Sequence, residues 1–427
     1  MTKDLFDDWS RFAPNAPELA AGKKWHVFLS YRSVYRTWVI SLYDILKDLG
    51  YEVFLDQFVL RANDNLTLAL QRGLDDSMSG ILIWSQRTED SKWCEKEFAT
   101  MDQKATEGTF HYGVAKLDHV TLPAFASARL YADFSDSPDG PQGSNLLRLI
   151  YGIVNKPPSD EAVRFGTQID EEIHSAAVTA KAAREVGNVD KLIELSRTDS
   201  VAWKSTPMLG CLVAESLARL GEYEAACVVV KELMGRFPKA VRPRQLLGHA
   251  LARKGATEDA QLVLGELEAE GNRDPETLGM LARTWMDRYN ETNVRSFLRK
   301  SRNLYQLAFE HTPSDSYVGI NAAAKSVFLG ELDIAASIAA DVEKLVGTKP
   351  HAGDYWQTAT AAEIQLIRKE YGNAAGLYQA AVDISPLEYG SQRSTLKQAR
   401  LLLEHLGATD VEKGMIEKAF EDLPPGD

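Results

Sequence analysis

Short apolar runs alternate with longer segments of helical pattern up to about Pro158. The segments between the runs, such as RTWVISLYDILKDLG, carry apolar residues near helical spacing. Strands of Val, Ile, Leu and Phe that alternate with helices indicate βαβ units and a parallel sheet covered on both faces. The predicted strands are Trp25 to Tyr31, Tyr51 to Asp56, Gly80 to Ser85 and Phe110 to Leu117.

Beyond this point the strand pattern is replaced by a helical repeat. Gly187, Gly221 and Gly255 follow one another at intervals of 34 residues, and each precedes a helix in which small residues recur. A period of 34 residues with a glycine-containing turn is typical of tetratricopeptide hairpins. Because one hairpin cannot bury its apolar face alone, the repeats are expected to stack into a solenoid.

Looser copies of the repeat follow around Gly330 and Gly372. The long interval from Gly255 to Gly330 indicates one degenerate repeat with an insertion near the run YNETNVRSF. A plain bundle of alanine-rich helices shares much of this pattern and is the alternative.

These patterns divide the chain into three predicted parts. Residues 1–22 form a lead segment, residues 23–158 an α/β domain, and residues 159–427 an all-α repeat domain. The pair Pro157 and Pro158 marks the boundary between the last two parts.

Composition limits the partners and the compartment. A net charge of -13 over 427 residues disfavours binding to a nucleic-acid backbone, which relies on Lys and Arg. Three cysteines are too few for a disulfide framework and lack metal-ligand spacing. No apolar run approaches the roughly 18 residues that cross a bilayer, and acidic residues stand where a signal peptide is basic. We therefore expect a cytoplasmic protein, with neither a membrane nor nucleic acid as its partner.

Four sequence pieces occur in order in the α/β region. VFLSYR ends a predicted strand, VFLD precedes the polar loop QFVLRANDNL, SKWCEKEF follows the strand GILIWS, and LPAFASARLYADFS supplies a loop and a short strand. Their order and spacing resemble the Toll/interleukin-1 receptor (TIR) domain family over roughly residues 23 to 155. The resemblance implies a flavodoxin-like domain with a central parallel sheet.

Many TIR domains cleave NAD+ between nicotinamide and ribose, and the resemblance implies that Glu97 is the catalytic residue. Trp93 and Glu97 lie four residues apart and share one helix face, whereas Glu95 points away from it. Nicotinamide leaves as a neutral molecule, so one fixed carboxylate facing the oxocarbenium-like centre can suffice. The alternative reading is a solvated surface glutamate on an ordinary amphipathic helix.

The resemblance also implies a set of residues that bind the substrate. Carboxyl ends of parallel strands meet at the ligand edge of an α/β sheet, which places Arg32 near this site. No metal site is expected, and no cofactor apart from NAD+ itself as the substrate. The predicted substrate-binding residues are Ser30, Tyr31, Arg32, Asp56, Leu60, Arg61, Asn63 and Trp93.

Two positions depart from the pattern of active family members. Asn63 stands where many members have glycine in the mobile BB loop. Asn tolerates a left-handed backbone, but its side chain leaves less room for a substrate. Ser33 stands where some active members have a second Arg. Both departures are expected to affect the turnover rate more than the fold.

The helical region resembles the TRAF-binding tetratricopeptide region of the apoptosis signal-regulating kinases. The shared traits are the run SYVGINAA and the cluster Asp354, Tyr355 and Trp356. The resemblance implies a role in assembly and regulation, without catalysis. Tyr355 and Trp356 are expected to fill the stack between helices.

A repeat surface joined to a TIR domain suggests a sensor coupled to an effector. The favoured hypothesis is an NAD+ hydrolase that yields ADP-ribose or a cyclic ADP-ribose, a bacterial immune or cell-death effector. We expect activation by self-association through TIR domains, and a protein or small-molecule trigger on the repeats. The alternative is a non-catalytic scaffold or signalling adaptor. A nucleic-acid-guided defence subunit is disfavoured by the acidic charge.

Overall fold

The computed structural model describes most of the chain. The described residues are 9, 11–32, 35–59, 66–85, 88, 92–108, 110–122, 131–135, 140–205, 207–238, 240–386 and 388–423. They fall into two compact units, Met1–Lys254 and Gly255–Asp427. The predicted domain boundaries after residues 22 and 158 both lie inside the first unit and stay predictions.

Among the described residues of the first unit, five strands form one sheet in which each neighbouring pair is parallel. The sheet order is β2-β1-β3-β4-β5, which is the flavodoxin-like order and confirms the predicted fold class. The strands are β1 Trp25–Ser30, β2 Val53–Phe54, β3 Ser77–Trp84, β4 His111–Lys116 and β5 Tyr131–Asp133.

Helices connect the strands and then continue to the end of the unit. Their bounds are α1 Arg36–Asp48, α2 Asp56–Val59, α3 Leu66–Asp75, α4 Lys92–Thr106, α5 Gly143–Ile153, α6 Asp160–Glu185, α7 Val189–Ser196, α8 Val201–Ser205, α9 Met208–Arg219, α10 Tyr223–Arg236 and α11 Val241–Arg253.

The central strands are buried on both faces, as their continuous apolar sequences predict. Val27, Phe28, Ile81 and Leu82 all lie in the core although neighbouring residues point to opposite sides of the sheet. One side forms a cluster with the inner faces of α3 and α4. A parallel sheet needs such covers because both of its faces are apolar.

The predicted strand Tyr51 to Asp56 is wrong in length. Only Val53–Phe54 pair with β1, and Asp56 is the first residue of the short helix α2. A carboxylate in the first turn suits the positive end of the helix. Asp56 nevertheless lies at the carboxyl end of β2, where the prediction placed it.

Strand β3 begins earlier than predicted. Its first residues are polar, but the Ser77 hydroxyl donates to the Gly73 carbonyl and the Ser79 hydroxyl donates to the His26 carbonyl. Buried hydroxyls with such partners are compatible with a sheet interior.

The lead segment packs against the aromatic side chain of Phe165 in α6. Trp9 is almost completely buried and meets Phe165 edge to face, with 5.4 Å between ring centroids. Phe12 stacks on the same ring at 4.2 Å. Aromatic pairs of both geometries stabilise a protein beyond the area they bury.

Two tyrosines hold the same segment through its backbone. The Tyr151 hydroxyl donates to the Phe12 carbonyl at 2.9 Å, and the Tyr51 hydroxyl donates to the Pro14 carbonyl at 2.7 Å. Residues 11–22 therefore have fixed contacts although they form no helix or strand.

His26 also serves the lead segment. Its Nδ1 accepts from the Glu52 backbone amide at 2.8 Å, so Nε2 carries the proton and donates to the Pro17 carbonyl at 2.7 Å. Both ring nitrogens of His26 are thus used in structural contacts with the backbone.

Close backbone contact joins α5 to α6. A Cβ at Gly166 would lie 2.8 Å from the Ser144 Cα, so these helices approach each other where no side chain fits. Asp170 of α6 accepts a hydrogen bond from the Ser144 backbone amide at 3.0 Å. This helix-terminal amide is thus satisfied by the neighbouring helix.

The described residues of the second unit form successive helical hairpins that pack on one another. Their bounds are α12 Thr257–Ala269, α13 Pro275–Thr292, α14 Arg295–His311, α15 Ser316–Leu329, α16 Leu332–Val346, α17 Tyr355–Ile367, α18 Tyr371–Ile384, α19 Tyr389–His405 and α20 Asp410–Lys418.

Side-chain caps begin several of these helices. Asp274, Asp315 and Asp354 each accept hydrogen bonds from backbone amides of the following turn. Thr409 and Glu412 form a capping box at α20. These residues satisfy amides that a helix start leaves without partners.

The glycine spacing predicts only some of the turns between the helices. Gly187, Gly221, Gly255 and Gly330 have positive φ at turns, as expected. The region after Gly255 contains a complete hairpin, α13 and α14, whose turn uses Asn293 in the left-handed conformation. Asn is the residue that best replaces glycine there.

The predicted repeat around Gly372 places the turn between its two helices at the wrong residue. Gly372 is the second residue of α18, and Lys369 holds the left-handed turn position with φ 64°. Because a lysine in this conformation has no sequence signal, glycine spacing cannot locate this turn.

The two adjacent aromatic residues at the start of α17, Tyr355 and Trp356, differ in their burial. Tyr355 is buried and donates to the Thr395 hydroxyl at 2.9 Å, which confirms the expected packing role. Trp356 is 54% exposed, so the same expectation is wrong for it. Consecutive helical residues point about 100° apart, and only one of the pair can face the stack.

No helix in the described part of the chain is long and apolar enough to cross a membrane.

Candidate active site at the carboxyl edge of the sheet

Ser30 and Glu97 meet at the carboxyl edge of the sheet. Ser30 is the last residue of β1, and Glu97 lies in the second turn of α4, which follows β3. The Ser30 Oγ donates a hydrogen bond to Glu97 Oε2 at 2.5 Å. In a parallel sheet of this order, successive strands are added on one side of β1 and then, from β3 onward, on its other side. Open α/β sheets bind ligands at the carboxyl ends of the strands where the strand order reverses in this way.

The packing of α4 places Glu97 at the border between protein and solvent. Phe98 and Met101 are buried against the sheet, and the Phe98 ring meets Tyr112 edge to face at 5.9 Å. Lys96 on the other side is exposed, and Glu97 is half-buried between them. Its carboxylate is therefore bound to a buried hydroxyl instead of lying freely in solvent.

Tyr31 and Asp56 form a second pair at the same edge. The Tyr31 hydroxyl donates to Asp56 Oδ1 at 2.8 Å. Burial raises the pKa of the Tyr31 phenol, and the Asp56 charge raises it further, while Arg36 opposes both. The phenol therefore stays protonated and remains a hydrogen-bond donor at neutral pH.

The remaining predicted site residues are less completely described. Arg32 is half-buried directly after Tyr31. Leu60, Arg61 and Asn63 lie outside the described residues. Trp93 belongs to α4, as predicted, but its side chain also lies outside the described part. The structure thus brings together Ser30 with Glu97 and Tyr31 with Asp56, and the roles of all these residues stay predictions.

Other polar residues at this edge were missed by the sequence analysis. At the end of β4, Lys116 Nζ lies 2.9 Å from Asp133 Oδ2, which ends β5. This hydrogen bond raises the pKa of Lys116. Burial opposes ionisation of Asp133, but hydrogen bonds from Ser135 and Lys116 hold its pKa below the usual range. The signal available in the sequence was the polar residue at the end of each of the runs that form β4 and β5.

Two buried hydroxyls follow the end of β3. Ser85 and Thr88 are both fully buried, and their oxygens lie 2.9 Å apart. Within the described parts of the chain, no group of three or more His, Cys, Asp and Glu side chains could hold a metal ion.

Two stretches of the chain match family models. Residues 27–150 match the model for the TIR domain, and residues 214–326 match the model for Tetratricopeptide Repeats-Sensor. These matches confirm the predicted combination of a TIR domain with tetratricopeptide-like helices.

One curated relative is the NAD(+) hydrolase TcpA of Theionarchaea archaeon (strain DG-70-1). It is 34% identical to this chain over 70 residues, which cover 16% of this chain. This chain spans 21% of the length of that relative.

Solved repeat proteins are similar at low identity. TTC0263, a thermophilic TPR protein in Thermus thermophilus, is 18% identical, with 45% of this chain and 97% of that chain covered and a TM-score of 0.37. The C-terminal part of a TPR repeat-containing protein from Cytophaga hutchinsonii is 16% identical, with 60% and 96% covered and a TM-score of 0.33.

Proposed function

Because this chain carries a TIR domain over residues 27–150, we propose that it is an NAD+ glycohydrolase in which Glu97 is the catalytic carboxylate. The observation that carries the proposal is the 2.5 Å hydrogen bond from Ser30 to Glu97. It holds a carboxylate at the sheet edge where proteins of this topology bind nucleotides. The similarity to a protein named as an NAD(+) hydrolase agrees with the substrate class.

The proposed reaction breaks the bond between C1′ of the ribose and the nicotinamide nitrogen. The bonding electrons leave with the nitrogen, so the departing base is neutral and the ribose becomes oxocarbenium-like. A carboxylate held near this centre stabilises the positive charge that develops there. Water then adds to C1′ and releases a proton, which gives ADP-ribose. Attack by the adenine ring of the same molecule would give a cyclic product instead.

The helical repeats act as the sensor of this effector in the proposed function. Repeat solenoids carry extended surfaces on which a protein or small molecule binds. Self-association of the TIR domains then completes the active site. A cytoplasmic immune or cell-death effector is the role that suits depletion of NAD+ or release of an ADP-ribose signal.

The direct test is nicotinamide release from NAD+ by the purified full chain, measured by chromatography. Glu97→Gln is expected to lower kcat by about 100-fold or more, the usual range for loss of one electrostatic group. Glu107→Gln is the matched control, because Glu107 is an exposed glutamate just beyond the end of α4. Equal release by wild type and Glu97→Gln would remove Glu97 from the mechanism.

Self-association is tested in the same assay over a range of protein concentrations. The proposal expects specific activity to rise with concentration as larger species appear in sedimentation. Constant specific activity in a monomeric protein would contradict activation by assembly. No nicotinamide release from an assembled wild type would favour a scaffold or adaptor.

A further inference from the structure

We propose that Ser30 is a positioning residue that fixes the Glu97 carboxylate, and that it does not bind the substrate. The inference deepens the proposed function and rests on it for its kinetic part. It assigns to Ser30 a role different from the substrate contact that the sequence predicts.

The burial of Ser30 argues against direct contact with a substrate. The residue is 1% exposed, and its backbone lies in the sheet opposite Leu82 of β3. Its hydroxyl has a single hydrogen to donate, and that hydrogen is directed to Glu97 Oε2 at 2.5 Å. A ligand at the sheet edge would therefore meet the carboxylate rather than the hydroxyl.

Comparison with other buried serines of the same sheet shows what is particular to Ser30. Ser77 and Ser79 are equally buried in β3, and each donates to a nearby backbone carbonyl. Ser30 donates instead to an ionisable side chain of another element, 67 residues away. The strand thus supplies a fixed donor to a flexible side chain on α4.

Such a donor has two effects on a glutamate. A short hydrogen bond to a carboxylate is among the stronger ones in proteins, so it restricts the rotamers of Glu97. Donation to the charged form also favours ionisation of the carboxyl group. Both effects would keep the carboxylate ionised and directed to the sheet edge before the substrate arrives.

The test compares Ser30→Ala with Ser30→Thr, which keeps the hydroxyl and suits a strand. Ser79→Ala is the matched control, since it removes a buried hydroxyl from the neighbouring strand without touching Glu97. We expect Ser30→Ala to lower kcat by about 10- to 100-fold, the range for one hydrogen bond to a charged group, with KM within about twofold. The acidic limb of its kcat profile should move to higher pH. Ser30→Thr should restore most of kcat, and Ser79→Ala should leave kcat and the pH profile in place.

A second readout does not depend on catalysis. In protein labelled with 13C at the Glu carboxyls, the Glu97 signal is assigned by its absence in Glu97→Gln. Its titration midpoint should move to higher pH in Ser30→Ala and not in Ser79→Ala. An unchanged midpoint, or a rise in KM with unchanged kcat, would overturn the positioning role. An inactive wild type in which the midpoint moves would overturn the NAD+ hydrolase alone.

Discussion

Gln398 donates a hydrogen bond from Nε2 to Oε1 of Glu363 across 3.1 Å, while its amide oxygen lies 3.5 Å from the Lys325 ammonium. One amide side chain on α19 therefore links a base on α15 to an acid on α17. Burial raises the pKa of the Glu363 carboxyl, and the charge of Lys325 partly opposes this. The second unit thus contains charged groups in its interior, where their solvation is poor.

The first prediction concerns the pH dependence of stability that Lys325 produces. Burial lowers its pKa to about 8 from 10.5, with the Glu363 charge opposing and Arg283 assisting. Below pH 8 both folded and unfolded chains carry this proton, and the burial penalty is complete. Between pH 8 and 10.5 the unfolded chain binds more protons, so the stability of the folded state rises. The gain from pH 8 to pH 10 should be about 2 kcal/mol.

Urea unfolding of the wild type and of Lys325→Met at pH 7, 8 and 10 measures this effect. The tyrosines of the second unit also titrate near pH 10, but they are common to both proteins and cancel in the difference. Wild-type stability should rise relative to the variant above pH 8. Parallel pH curves for the two proteins would show that Lys325 is not the group responsible.

The second prediction concerns the anchor of the lead segment. Trp9 is 1% exposed and packs on Phe165, so Trp9→Ala should lower the free energy of unfolding by about 3–5 kcal/mol. Limited proteolysis should then cut within residues 11–22 faster than in the wild type. Val163→Ala on the same helix is the control, because its side chain is 47% exposed and its loss should cost under about 0.5 kcal/mol.

The third prediction compares two glycines near the α5–α6 contact. Gly166→Ala places a methyl group 2.8 Å from the Ser144 Cα, which should cost about 1–3 kcal/mol in thermal or urea unfolding. Gly152→Ala on α5 meets nothing within 4 Å and should stabilise the helix by roughly 0.5 kcal/mol. Equal effects of the two changes would contradict the close approach.

The fourth prediction concerns the bond from Tyr31 to Asp56. Tyr31→Phe removes one hydrogen bond and should lower stability by about 1 kcal/mol near pH 7. The raised pKa of this phenol means that stability falls as pH rises above 10, where the unfolded chain loses the proton first. The absorbance difference between wild type and Tyr31→Phe should therefore show no phenolate at pH 10. A phenolate signal there would mean that Tyr31 is exposed and lacks the Asp56 contact.

Predictions from local pattern succeed where one element determines the outcome. The apolar runs of β1, β3 and β4 predict buried strands from their own residues, and α4 begins close to where its motif indicates. The turns at Asn293 and Lys369 are not predicted, because the spacing of glycines can locate only those turns that contain a glycine. The hydrogen bond between Ser30 and Glu97 is not predicted either, because the periodicity of a sequence does not show which residues 67 positions apart come into contact.

The attachment of the lead segment sets an order for events during synthesis. The Phe12 carbonyl accepts its hydrogen bond from the hydroxyl of Tyr151, which lies 139 residues later in the chain. The rings of Trp9 and Phe12 pack on Phe165 in α6, which is synthesised later still. The lead segment therefore reaches these contacts only after the whole sheet and part of α6 have emerged from the ribosome. Until then Trp9 and Phe12 are exposed apolar side chains on a nascent chain, and chaperones bind such surfaces.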